Sequence, residues 1–281
     1  MTLSYYLMNK SLNLFIIFRS VKFPKPVIAV LMILSLCILD EAADAQKPKR
    51  DIYTIMSLDG KPQKIYVEDD YVNNIIRIKC LNDSLYIDDT YQLEGIPVVL
   101  DKNFLELKYA PRIGSNIRTR RVLILCVNKS KLFLALHITY FDSFELTEVY
   151  DRRADSLKLF NEKSLYEVKL NLIGQNKSNY KLTAFIHDMN SSKHDPSTNY
   201  NQDDKTILRY DTTSNIFYND FKNVNDLPTR TVNSSFPIIK LGRREYYYID
   251  DAWYEIGKDC DGNRIMIKYS VNSWNSEKKN F

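Results

Sequence analysis

Few residues in this chain have the type and spacing that chemistry requires. Of three histidines, His137 alone lies in an apolar run, Leu132 to Tyr140, and the nearest nucleophile by pattern is Cys126 in the run Val122 to Val127. If Asn128-Lys129-Ser130-Lys131 is the turn between them, Cys126 faces Phe133 and Val122 faces His137. Thiol and imidazole then share a face but stand four residues apart along the strands, ~13 Å at the usual rise. A nucleophile and its base need ~3 Å, so this spacing predicts a satisfied core histidine. His187 and His194 flank a polar stretch with no third ligand at a usable spacing, so no metal site is expected. The glycines at 60, 95, 114, 174, 242, 257 and 262 never fall within two residues of one another, which excludes a Gly-rich phosphate cradle and, with it, the common nucleotide cofactors.

Acids are abundant but badly placed for acid/base work. In Asp69/Asp70, Asp88/Asp89 and Asp250/Asp251 the partners are consecutive, and consecutive strand residues point to opposite faces. No pair can therefore serve as a glycosidase dyad. Asp259-Cys260-Asp261-Gly262-Asn263 has its Gly too early for a calcium loop and no closing Glu, and reads as an Asp-Gly turn. The expectation is a protein with no catalytic residues, no metal and no cofactor.

The basic residues cluster more than the acids do. Arg112, Arg118, Arg120 and Arg121 fall within eleven residues, Arg152/Arg153 and Arg243/Arg244 are pairs, and Lys47-Pro48-Lys49-Arg50 is a short run. Such groups bind acidic surfaces or sulfated glycans through bidentate contacts, or simply solvate loops; the Lys-Pro-Lys-Arg run could also be a nuclear address. A formal charge of +4 over 281 residues is too mild to expect nucleic acid.

The elements that must position these residues read as strands. Ile52 to Leu58 and Lys64 to Val67 flank Asp59-Gly60-Lys61-Pro62, a hairpin turn; short strands follow around Asn82-Asp83, at Val98 to Leu100 and at Phe104 to Tyr109. The runs on either side of Asn128 to Lys131 are apolar at nearly every position, as strands buried on both faces are. Tyr166 to Ile173 and Tyr180 to His187 make a further hairpin, and six shorter runs between Ile207 and Tyr269 complete the pattern. Phe141 to Phe160 carries the Leu spacing and charge of a possible helix, and Met189 to Lys205, rich in Asn, Ser and Asp, reads as a long exposed loop. The fold class is mostly β, with antiparallel meander or sandwich units, duplication and little helix.

Duplication is read from a phrase. Tyr247-Tyr248-Ile249-Asp250-Asp251-Ala252-Trp253-Tyr254-Glu255-Ile256 echoes Leu159-Phe160-Asn161-Glu162-Lys163-Ser164-Leu165-Tyr166-Glu167-Val168, with a weaker copy at Leu85-Tyr86-Ile87-Asp88-Asp89. Ile76-Arg77-Ile78-Lys79 and Ile238-Ile239-Lys240-Leu241 precede Tyr86 and Tyr248 at one distance, so a strand, a turn and an aromatic strand recur together. The rival explanation is that hairpins in a Tyr- and Asn-rich chain look alike. An aromatic pair, a short polar turn and Trp-Tyr-Glu-Ile after a β meander resembles the FAINT modules of Theileria and related piroplasm parasites. The resemblance covers 99–170 and 171–258, with a partial unit before them, and lacks the Ile-Trp step of that family. It implies a secreted protein, delivered into a host cell, that acts by interaction. The expected division is 1–45 signal peptide, 46–98 partial β module, 99–170 and 171–258 β modules, the latter holding the loop 189–205, and 259–281 a closing strand and tail.

The leader supports export. Val27 to Leu39 is an apolar run after Arg19, Lys22 and Lys25, and Ala43-Asp44-Ala45 follows it, so a signal peptidase would cut between Ala45 and Gln46. Thirteen residues of helix reach ~20 Å, short of the ~30 Å hydrocarbon core; an uncleaved anchor and lipidation at Cys37 are the alternatives. Cys80, Cys126 and Cys260 remain after cleavage, an odd number that cannot pair completely within one chain. A partner that is protein or glycan is expected, with no membrane contact after cleavage, and Trp253, Tyr254, Tyr248, Arg243 and Arg244 have the residue types that anchor interfaces. Core and edge of the last unit is the alternative role for Trp253 and Tyr254.

Overall fold

The computed structural model describes residues 48–281, except 82, 89, 112–116, 152–155, 175–178, 224–234, 259–261, 270 and 274–281. The expected signal peptide with its Ala45/Gln46 cut, Cys37, Arg112, Arg152/Arg153 and the turn at Asp259 to Asp261 lie outside the described residues.

Chain order and sheet order nearly coincide. Strands β1 (Lys49–Met56), β2 (Pro62–Asp70), β3 (Ile75–Cys80) and β4 (Asp83–Ile87) form an antiparallel meander, the first sheet. The second, central sheet contains β5 (Thr90–Leu93), β6 (Val98–Leu100), β7 (Phe104–Pro111), β8 (Ile117–Asn128), β9 (Lys131–Asp151), β10 (Ser156–Gly174), β11 (Tyr180–Ser192), β12 (Tyr200–Asp211) and β13 (Ile216–Tyr218), with β5 and β6 both beside β7. A third meander comprises β14 (Asp220–Asn223), β15 (Ser235–Leu241), β16 (Arg244–Ile249), β17 (Ala252–Lys258) and β18 (Arg264–Lys268); β19 (Val271–Ser273) then returns to the first sheet beside β4. All pairings are antiparallel, as neighbours in sequence joined by short turns must be. Mostly β and antiparallel is therefore what the chain is.

The three sheets stack in layers because the central strands are apolar on both sides. On β8, Val122, Ile124 and Cys126 enter a core shared with Ile239, Leu241, Tyr246 and Trp253 of the third sheet. The intervening Leu123, Leu125 and Val127 enter a second core with Ile55, Ile65, Val67, Ile76 and Ile78 of the first sheet. That is the physical reason for the unbroken apolar run: each residue has a layer to face. The first sheet covers the β7 to β9 part of its face only, and the same face of β10 to β12 carries exposed side chains, among them Phe185 and Ile207.

Two expectations are corrected, and two further comparisons follow. Phe141 to Phe160 forms no helix; it is the end of β9 and the start of β10, paired Phe141↔Glu167 through Ser156↔Asp151 with a bulge at 159–162. Cross-strand pairing overrides a modest local preference. Met189 to Lys205 is not a long loop, since β11 and β12 run through it and only 193–199, with a 3-10 turn at Pro196–Thr198, connects them. Its strands are polar because residues 201–205 lie beyond the covering layer, exposed on both faces. The divisions at 98/99 and 170/171 fall inside β6 and β10, and 48–281 forms one compact unit. Finally, the two ten-residue phrases differ: 247–256 is a hairpin turning at Asp250 and Asp251, both at positive φ, whereas 159–168 lies within one strand.

Candidate functional site

The densest gathering of chemistry-bearing groups lies where the central and third sheets meet. Gly242, at φ +56, turns β15 into β16, so that Arg244 opens the latter strand and Glu255 faces it on β17 through the register Tyr246↔Glu255. Arg244 Nη1 donates to Glu255 Oε1 at 2.7 Å, and its Nη2 donates to Asp142 of β9. The remaining oxygens are also taken. Thr119 donates to Asp142 Oδ1 at 2.8 Å, while Thr139 (3.1 Å) and Tyr269 both donate to Glu255 Oε2. The guanidinium lies 4.2 Å from the Tyr166 ring centroid, and Arg121 caps the Tyr269 ring at 4.0 Å.

Electrostatics follows from this enclosure. Burial works against the Arg244 charge, but Tyr246, Glu255 and Asp142 outweigh it and lift its pKa well above the usual value. Burial pushes the Tyr246 and Tyr269 hydroxyls well up, helped at Tyr246 by Tyr166 and Glu255 and at Tyr269 by Glu255. Only 11% of the Glu255 side chain and 22% of the Arg244 side chain are exposed. Glu255 accepts three hydrogen bonds at a mostly hidden site, and its chemistry is to fasten one sheet to another.

His137 stands apart from Cys126. A bulge between Ile124 and Leu125 moves the register one place, so His137 faces Leu123 and not Val122, although Cys126 does face Phe133. Cys126 enters the core toward the third sheet, with Sγ 3.3 Å from the Tyr210 hydroxyl and its pKa pushed up to about 12 by burial. His137 is fully buried, with Nε2 2.8 Å from the Tyr109 hydroxyl and its ring against Tyr269. Burial first and the Arg121 charge second hold its pKa well below the ordinary value. Its Nδ1, like Arg121 Nε, has no described partner. His187 pairs with Asp203 at 2.8 Å, and no group of three metal-binding side chains occurs among the described residues.

The five residues expected to anchor an interface separate. Trp253 is 1% exposed, donates its indole N–H to the Leu134 carbonyl at 3.1 Å and is a core residue. Of the two roles open to Trp253, anchor and core, burial assigns the core: hairpin position says nothing about which layer lies above the ring. Arg244 is occupied in the staple just described. Tyr254 is half-buried against Ile238, Tyr247 and Ile249, and half-buried Tyr248 donates to Asp251 at 3.1 Å. Arg243 is exposed, its guanidinium 3.3 Å from the Tyr200 ring centroid. Sequence reasoning missed Asp142, Thr139, Glu255 and Tyr269 as a group because 116 residues separate Thr139 from Glu255, and no local pattern joins them.

The other feature is a surface. Along β10, β11 and β12 the register aligns Asn171, Thr183 and Ile207 in one row and Lys169, Phe185 and Lys205 in the next. Phe185 is 46% exposed and Ile207 50%. Comparison with protein-family models, curated proteins and solved structures returns no match.

Proposed function

We propose that this is an exported protein that acts by binding a protein or glycan partner and not by catalysis, in the manner implied by its resemblance to the FAINT modules. One observation carries the reading. The central sheet has a face half covered by the first sheet and half left open with Phe185 and Ile207 outward, while the carboxylates gathered where two sheets meet, Asp142 and Glu255, are used to join them. An uncovered apolar sheet area on an otherwise layered protein is a contact surface in waiting. Export rests on the apolar run 27–39 and on Ala43-Asp44-Ala45.

The test is secretion of the full chain from a eukaryotic host, followed by N-terminal sequencing and incubation with chromogenic glycosides. Secreted protein beginning at Gln46, with no turnover, is expected. Cell-retained protein with its leader intact overturns export, acyl labelling that depends on Cys37 redirects it to a lipid anchor, and turnover abolished by Glu255→Gln overturns the non-catalytic reading.

A further inference from the structure

We propose that the open half of the central sheet docks an acidic segment of a partner protein that also carries apolar side chains; this rests on the binding function proposed above and names the partner's chemistry. Three strands contribute. The row Ile173, Lys181, Arg209 is followed by Asn171, Thr183, Ile207 and then by Lys169, Phe185, Lys205. Tyr218 of β13 continues the first row beside Arg209, and its ring packs on exposed Phe221. Same-face neighbours lie ~4.8 Å apart across strands and ~7 Å apart along them, so the exposed side chains of these rows make one area around Thr183, which is buried.

The composition of that area selects its occupant. Four cations, Lys169, Lys181, Lys205 and Arg209, surround Phe185, Ile207 and Ile173, and no acid stands in the three rows. Acids begin in the rows beyond: at one end Asp211, held by the N–H groups of Thr213 and Ser214, and at the other Glu167, engaged by Lys169 at 3.6 Å, and Asp203, engaged by His187. Lys205 lies 5.4 Å from the Phe185 ring centroid, which keeps its charge on the apolar patch and not away from it. Neither Lys181 nor Arg209 makes an ion pair with a described residue. A sulfated glycan would satisfy the cations and leave Phe185, Ile207 and Ile173 wet. Single-stranded nucleic acid needs a succession of aromatic platforms, and here aliphatic side chains hold two of the three apolar places. An extended chain in which acidic and Leu-like residues take turns at every second position carries both on the one face it turns to the sheet, and so matches both properties.

The experiment is fluorescence anisotropy of the full chain with a short labelled peptide of Glu-Ser-Leu-Ser repeats, whose Glu and Leu share one face when the peptide is extended. Two double variants are compared, Phe185→Ser with Ile207→Ser, and Lys181→Glu with Arg209→Glu; all four side chains point outward, and thermal melting verifies each fold. Binding is expected for the natural sequence, weakened about ten-fold or more by either variant and by raising salt from about 0.05 to about 0.5 M. Loss with the charge variant but not with the apolar one, accompanied by equal binding of a heparin oligosaccharide, overturns the inference in favour of a polyanion site. Absence of binding up to about 1 mM peptide, or equal binding by all three proteins, also overturns it. Those outcomes leave the broader binding function standing, because that fails only on the secretion and turnover measurements.

Discussion

Replacing His137 by Phe isolates the largest single contribution of histidine titration to stability. In the folded chain the imidazole is enclosed by Tyr109 of β7, Leu123 and Arg121 of β8, and Tyr269. Burial and the Arg121 charge hold its pKa well below the ordinary value, which is about 6.5 in an unfolded chain. Between the two values the unfolded state binds the extra proton, so stability is full above about pH 6.5 and falls as pH falls, by about 1.4 kcal/mol per unit. From pH 6.5 to 5 the natural protein therefore loses stability through this residue, by at most about 2 kcal/mol. Phe cannot titrate, and it keeps most of the ring volume. It also leaves the Tyr109 hydroxyl without its partner, at a cost of about 1–3 kcal/mol. Urea unfolding at pH 8 should thus show the variant less stable by that amount, and at pH 5 the gap should be narrower. His187 and His194 are present in both proteins and cancel. A gap of the same size at pH 8 and pH 5 refutes the reasoning.

Three other outcomes follow from the same geometry. Arg244→Ala leaves Asp142 and Glu255 without their cation at a mostly hidden site, which costs about 3 kcal/mol and lowers the melting temperature by about 6–12 °C; a calorimetric change below about 3 °C argues against the staple. Asp69 carries an unpartnered buried Oδ1, and burial raises its pKa despite the hydrogen bond from the Leu93 N–H. Asp69→Asn should accordingly raise the melting temperature by about 1–2 °C at pH 7, and by nothing at pH 3 where the carboxyl is already neutral. Cys80 and Cys126 are buried free thiols with pKa values raised by burial, so iodoacetamide at pH 8 should label both in urea and neither in the native protein, read by mass spectrometry.

What was legible in the sequence divides along one physical line. Local patterns announced local structure: the turn at Asp59-Gly60, the hairpin at Asn128 to Lys131 and the two-sided burial of β8 and β9 all follow from periodicity and turn chemistry. Whatever depended on a distant layer was hidden. A polar stretch such as 189–205 looks like a loop until the sheet is seen to project past its cover. Trp253 looks like an anchor until Leu134, 119 residues earlier, is found above it. One bulge at Ile124/Leu125 sufficed to send His137 to the other side of the sheet from Cys126, and bulges leave no reliable mark in a run of Leu, Ile and Val.

The repeated phrase shows how far identical letters can diverge under that constraint. Its closing acid is Glu167 in one copy and Glu255 in the other. Glu167 stands on the open face of β10, its side chain 37% exposed, beside Lys169. Glu255 is sealed between sheets with Arg244, Thr139 and Tyr269. The preceding tyrosines differ as well: Tyr166 is buried and carries the Arg244 guanidinium on its ring, whereas Tyr254 packs half-exposed on the outer cluster of the third sheet. Tyr-Glu thus points opposite ways relative to the core in the two copies, as a one-residue change of facing requires. A unit duplicated with its structure intact would keep its buried member buried. What the two copies share physically is a strand-forming alternation of aromatic and charged residues. Tertiary context then decides which of the pair faces inward, and in the second copy that choice sets Glu255 where it can hold the third sheet in register on the central one.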